Sequence, residues 1–185
     1  MLELGMATAP AWVTGAILGY VTLQRLVELA IAKRNTRRLL AEGGFEVGRR
    51  HYPAIVLLHG LWLATIWLTA FGQPLHLLPL ALFALVQALR FWTLAAIGRR
   101  WTTRIIVVPG EHLVARGPYR FLSHPNYVVV ACEIALLPAV FGLWATCLIF
   151  TVLNAAVLAI RISAENQGLR EHAAPRERVQ RSAIG

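Results

Sequence analysis

Apolar residues run for helix-length stretches along this chain, and the polar residues are gathered between those stretches. A bilayer core of about 30 Å takes roughly 20 helical residues to cross. Residues 11–32 meet that length and stop at Lys33-Arg34. A second run, 53–71, opens on Pro53, which suits the first turn of a helix, and closes at the tight turn Gly72-Gln73-Pro74. The third, 75–97, ends at Gly98-Arg99-Arg100. From Tyr127 the chain stays apolar to Ile160, too long for one span. Pro138 and Gly142 interrupt it and divide it into a short helix, 126–140, and a longer one, 143–162. A tilted helix and a re-entrant hairpin are both open for the short one. The pattern predicts an all-α integral membrane fold of about five transmembrane helices, a single domain over 1–185 with a short C-terminal helical hairpin.

Between the runs, residues 33–52 are polar, and 99–125 form a structured loop with two β-prone pieces, 104–108 and 112–115. Val108-Pro109-Gly110-Glu111 places Pro and Gly where a type II turn wants them, so a small β-hairpin is expected at the membrane rim. The charges divide unevenly. Lys33, Arg34, Arg37, Arg38, Arg49 and Arg50 lie in the first loop; Arg99, Arg100, Arg104, Arg116 and Arg120 lie in the third; Arg161, Arg170, Arg176, Arg178 and Arg181 lie at the C-terminal end. The other two loops and the N-terminal segment have no Lys or Arg. The positive-inside rule then puts the N-terminus outside and the charged loops in the cytoplasm, with the chain in the inner membrane.

Composition supports this picture. The chain is 57% hydrophobic with a mean hydropathy of +0.59, above the roughly 45–50% apolar content of soluble domains. Its net charge of +9 is squeezed into the gaps between apolar runs, a pattern of membrane orientation and headgroup contact that argues against a nucleic-acid partner. The acidic residues are nine Glu and no Asp. Cys132 and Cys147 fall inside apolar runs and read as buried free thiols. The six histidines are scattered without metal-ligand spacing, so no metal site is read. No basic residue precedes the first run, which speaks against a secretory signal peptide.

Some polar residues sit inside the apolar runs, where an unpaired charge costs on the order of 3 kcal/mol or more. Arg25 and Glu28 are three apart on the first helix and so share a surface, beside Gln24. Arg90 lies about two turns from the end of the third helix. Ion pairing between helices or snorkelling accounts for these. Glu133 is two turns into the fourth helix on the face of Asn126, and its short side chain cannot snorkel, which points to a polar cavity. Asn154 reads as a helix–helix hydrogen bond.

The densest chemistry is Arg116-Gly-Pro-Tyr-Arg-Phe-Leu-Ser-His-Pro-Asn-Tyr127. Gly-Pro forces a turn and Pro125 blocks helix upstream of itself, so irregular backbone gathers Arg, His, Ser, Tyr and Asn beside the membrane. This segment resembles the G-P-Y-R-x-x-R-H-P-x-Y signature of the isoprenylcysteine carboxyl methyltransferase family, and more loosely the phosphatidylethanolamine methyltransferases. Downstream, Arg161-Ile-Ser-Ala-Glu165-Asn166-Gln-Gly-Leu169 is similar to that family's R-x-x-x-E-E-x-x-L. The resemblance covers Leu89 to about His172. The first half, with Gly43-Gly44-Phe-Glu46-x-Gly48-Arg-Arg-His51-Tyr52-Pro53, resembles small bacterial members, some of which methylate alkylpyrone or alkylresorcinol lipids. Two positions depart from the signature: Ser123 stands where an Arg precedes His-Pro, and Asn166 where a second Glu is usual.

What the resemblance implies is an S-adenosyl-L-methionine-dependent methyltransferase whose cofactor-binding part is about 99–172. Carried over residue by residue, His112, Leu113, Val114, Gly117, Pro118, Tyr119, His124, Pro125, Tyr127, Arg161 and Glu165 would surround the cofactor. Glu165 would meet its amino group and Arg120 its carboxylate, as charge-assisted hydrogen bonds. Arg120, His124 and Glu133 are the candidate catalytic residues. Glu46, His51, His59 and Arg90 are the candidates to orient a lipophilic acceptor. O-methylation of such an acceptor, an isoprenylcysteine-type carboxylate or an alkylpyrone or alkylresorcinol hydroxyl, is the expected reaction. Phospholipid N-methylation and a non-catalytic membrane scaffold are the alternatives.

Overall fold

Each apolar run becomes a helix, and two of the helices are longer than a bilayer crossing requires. The computed structural model describes residues 8–110 and 114–172. In chain order these form α1 (Ala11–Ala41), β1 (Phe45–Val47), α2 (Tyr52–Thr69), α3 (Leu77–Ile97), β2 (Ile105–Val107), α4 (Pro125–Val140) and α5 (Trp144–His172), with 3-10 turns at Arg49–His51, Gly98–Arg100 and Gly117–Arg120. Four helices, α1, α2, α3 and α5, are long and apolar enough to cross a membrane.

The sequence expectation ended the first helix at residue 32 and the last at 162; the structure carries them to 41 and 172. At 1.5 Å per residue, α1 is about 46 Å long, so its last turns stand clear of a bilayer core of about 30 Å. Lys and Arg are good helix formers and do not interrupt it. Buried Glu28, Ala32, Asn35 and Leu39 continue one helix face straight through the basic stretch.

The fourth helix is the centre of the bundle. Val129, Glu133, Ile134 and everything from Leu137 to Phe141 are buried. Although α4 has only 16 residues, the N–H of His76, at the head of α3, donates to the carbonyl of Val140 at 2.8 Å. Its far end is therefore level with the turn between α2 and α3, and the α4–α5 hairpin runs the depth of the bundle. Pro138 has no N–H to offer the carbonyl of Ile134 one turn back. The indole Nε1 of Trp62 on α2 donates to that carbonyl at 3.1 Å instead. A proline that breaks one helical hydrogen bond thus becomes the point where α2 docks, within a core of Leu18, Val21, Trp62, Ile66, Phe83, Ile134 and Leu137.

At the heart of the bundle, three helices contribute one ionic cluster. Arg90 on α3 donates through Nε to Glu28 of α1 at 2.5 Å and through Nη1 to Glu133 of α4 at 2.6 Å. Arg25 bonds the same two carboxylates at 3.0 and 2.8 Å, and Gln87 Nε2 donates to Glu133 at 2.8 Å. The Arg25–Glu28 pairing is the one their spacing predicts. Two guanidiniums balance two carboxylates, so ions that would be costly singly are neutral as a group. Asn154 is buried, but its Oδ1 accepts no hydrogen bond among the described residues.

Both charged loops lie at one end of the bundle. There β1 and β2 pair antiparallel, with Phe45 opposite Val107, Glu46 opposite Ile106 and Val47 opposite Ile105. The expected hairpin within 104–115 is corrected accordingly: the observed partner of β2 comes from the first loop, and residues 111–113 lie outside the described residues. Glu133→Ala would leave the buried Arg90 and the partly buried Arg25 facing one carboxylate. It is expected to cost about 3–5 kcal/mol of stability, measured by denaturation in detergent; a loss under about 1 kcal/mol would contradict the buried cluster.

Candidate functional site

Three separate pieces of chain build a cavity at the charged end of the bundle. The first is the continuation of α1, whose Asn35 Nδ2 donates to the carbonyl of Trp101 at 2.8 Å and so fixes the start of the third loop. The second is the ribbon. Arg104 beside β2 bonds Glu46 of β1 at 2.8 Å and lies 4.5 Å above the ring of Tyr52, while Tyr52 Oη and Thr103 Oγ1 are 3.2 Å apart. The third is α5, which passes over the ribbon at Gly168. A Cβ added there would come within 2.9 Å of Val47 Cγ2, so only glycine allows the helix this close.

The turn at Gly117–Arg120 is seated on the end of α3. Gly117 has φ +56°, and a Cβ built on it would lie 2.8 Å from Cβ of Ala96. Arg116 Nε donates to the carbonyl of Ala96 at 2.7 Å. Pro118 is buried, and Pro125 is the first residue of α4, which aims His124 and Tyr127 toward α5.

Between these pieces is a cavity of about 180 Å³, lined by Leu39, Ile97, Arg100, Trp101, Thr102, Arg104, the strip Ile105 to Val108, Val114, Tyr119, Ser123, His124, Asn126, Tyr127, Arg161 and Glu165. The Tyr127 hydroxyl is its polar hub. It donates to Glu165 and accepts from Arg161 Nε at 2.8 Å. The His124 ring stacks on that of Tyr127 with centroids 5.3 Å apart. Its Nε2 is 3.1 Å from Asn166 Oδ1 and its Nδ1 is 3.9 Å from Glu165. Burial first, and the nearby Glu165 carboxylate second, push the Tyr119 phenol above its ordinary range, so it stays protonated as a donor. The wall thus offers one carboxylate, three guanidiniums, aromatic rings and an apolar strip.

A model of the isoprenylcysteine carboxyl methyltransferase family matches residues 78–171. The chain belongs to this family. Its similarity extends beyond that region to an uncharacterized protein of Bacillus subtilis, YpbQ, 38% identical over 166 residues that cover 87% of this chain and 97% of that protein. An uncharacterized protein of Haemophilus influenzae is 24% identical over 157 residues, covering 78% of this chain and 88% of that protein. No solved structure matches.

The chain thus belongs to a methyltransferase family, and the site residues expected from its sequence fall into two groups. Val114, Tyr119, His124, Tyr127, Arg161 and Glu165 line the cavity together. Gly117, Pro118 and Pro125 shape the backbone around it and are not in its wall. Arg120 turns outward, with its guanidinium 5.9 Å from the Phe121 ring centre. His112 and Leu113 lie outside the described residues. Glu133 and Arg90 are in the ionic cluster and not in the cavity. Glu46 pairs with Arg104 and lines a small hollow beside the cavity that Arg104 and Arg161 share. His59 Nδ1 is 2.9 Å from the carbonyl of Ile55 in its own helix, and His51 falls in the turn before α2.

Residues that the signature did not mark supply much of the wall: Leu39, Arg100, Trp101, Arg104 and the 105–108 strip. The signals were an apolar strip set between arginines and a helical face carried past residue 32. Gly117→Ala, strained at positive φ and crowded by Ala96, is expected to cost more than about 1 kcal/mol. Thermal melting in detergent checks this, and an unchanged melting temperature would contradict the seating of the turn on α3.

Proposed function

We propose that the chain is an S-adenosyl-L-methionine-dependent methyltransferase that O-methylates a lipophilic acceptor at the membrane, with its active site on the cytoplasmic face of the inner membrane. The observation that carries this reading is the convergence of the 114–127 segment and α5 on one cavity through Tyr127, Arg161 and Glu165. The wall fits the cofactor's chemistry. A carboxylate suits its amino group, guanidiniums suit its carboxylate, and rings with an apolar strip suit its adenosine.

The cofactor supplies an electrophilic methyl group bound to a sulfonium. This chain's residues orient and shield it. Glu165 would hold the amino group, adding an ion pair to the hydrogen bond it accepts from Tyr127. Arg161, fixed by Tyr127, answers the opposite charge at the same end. Tyr119, neutral and partly buried, donates without adding charge. Transfer to an aligned acceptor needs orientation more than acid–base chemistry, and alignment of this kind supplies about 7–11 kcal/mol of barrier reduction. An acceptor already ionised needs no base. A phenolic one would give its proton to His124, whose two ring nitrogens face Asn166 and Glu165. Glu133 acts at a distance, as a positioning residue that holds α4.

The acceptor's tail is expected between helices, with its reactive head at the rim. The small hollow at Glu46, Tyr52, Ile55 and Arg161 adjoins the cavity on the side of α2, and Glu46 stands there as a residue that orients the head. Purified protein in detergent should be stabilised by S-adenosylhomocysteine, by about 2.7 kcal/mol at roughly 100-fold excess over Kd. Glu165→Gln should weaken that binding by about 1.5–3 kcal/mol, read by calorimetry. Absence of stabilisation at millimolar ligand would favour a non-catalytic scaffold, and unchanged affinity in the variant would remove Glu165 from the site.

A further inference from the structure

Beside the cavity, at the same end of the bundle, is a second concavity of about 550 Å³, which shares Leu39, Ile97, Arg100 and Val114 with it. Its walls include Arg38 and Glu42 at the end of α1, Arg99 and Arg100 after α3, and Arg116 at the turn on α3. Among the described residues its walls hold four arginines and one glutamate; Glu42 is paired with Arg38 at 2.8 Å, and Arg100 is itself engaged. Arg116 is held from behind by its bond to the Ala96 carbonyl, and its Nη2 lies over Gly98.

Basic residues at helix ends commonly offset helix dipoles and rest among headgroups. Those roles need only a convex rim. Here arginines from three separate segments of chain line one hollow, an arrangement that suits an anion. The hollow is also at the membrane rim, where apolar surface continues below it. On α3, about two turns before Arg99, Phe91 and Trp92 are 55% and 53% exposed.

We propose that this groove binds the phosphate of an anionic phospholipid, with Arg99 and Arg116 on the headgroup and the acyl chains along the exposed face of α3. The inference does not use the methyl-transfer reading and stands or falls apart from it. A basic pocket at this depth suits a membrane-held phosphate better than a free one, because the α3 face gives the chains a place that water-soluble phosphate cannot use.

Native mass spectrometry of the full chain in detergent, with phosphatidylglycerol and phosphatidylcholine supplied in equal amounts, tests this directly. One phosphatidylglycerol per copy should be retained in preference to phosphatidylcholine. Arg99→Gln should weaken its retention roughly 5-fold and Arg99→Gln/Arg116→Gln roughly 30-fold. Because Arg116 also seats the neighbouring turn, the single Arg99 variant is the cleaner readout. Equal retention of the two lipids, or undiminished phosphatidylglycerol in Arg99→Gln, would overturn the proposal. Displacement by millimolar inorganic phosphate would make the ligand a free anion and overturn the lipid assignment.

Discussion

Two arginines and two glutamates buried among apolar helices can remain charged only in one another's company, and this requirement fixes the relative depth of α1, α3 and α4. Arg90 reaches both carboxylates, so a shift of any one helix along its axis by a turn would separate ions with no water to receive them. Apolar packing alone specifies such a register weakly, since lipid is as apolar as the core. The cluster therefore provides specificity that Leu18, Ile66 and Phe83 cannot. Its effect passes along α4: Glu133 is held, and Tyr127, six residues earlier on the same helix, is held with it at the cavity wall. The Ile134 carbonyl, which Pro138 cannot bond and Trp62 does, secures the other end of that helix.

With α4 fixed, the cavity is completed by parts of the chain that are distant in sequence. The ribbon joins residues 45–47 to 105–107, and α5 crosses it at Gly168. The extended end of α1 locks the third loop through Asn35. Arg104 and Arg161 each face both the main cavity and the hollow toward α2, so a ligand in one would be felt in the other. Polar groups that would be unwelcome in lipid are thereby collected at one wet end, next to the apolar faces through which a lipophilic molecule would arrive.

Much of this was legible in the sequence. Length and hydropathy gave five helices, and the asymmetry of Lys and Arg put the charged loops together at one end. The spacing of Arg25 and Glu28 gave their pair. The signature residues His124, Tyr127, Arg161 and Glu165 do meet, although 34 residues separate Tyr127 from Arg161. Other features were hidden for physical reasons. Lys33-Arg34 marks an end to the apolar run, whereas Ala32, Asn35 and Leu39 carry the buried face of α1 onward at helical spacing. Short β-prone pieces do not declare their partners: sequence proximity favours a hairpin within 104–115, whereas the observed partner of β2 is β1 in the first loop. A short carboxylate inside an apolar run points to a polar cavity, but Glu133 is buried against Arg25 and Arg90 of two other helices, which one helix's pattern cannot reveal.

The central claim is that segment 114–127 and the end of α5 close around a single sulfonium cofactor. A photoreactive analogue of S-adenosylhomocysteine, cross-linked to the purified protein and mapped by peptide mass spectrometry, tests it most directly. The account predicts labels in both stretches, each suppressed by excess S-adenosylhomocysteine. Labels confined to one stretch, or unaffected by the competitor, would contradict it.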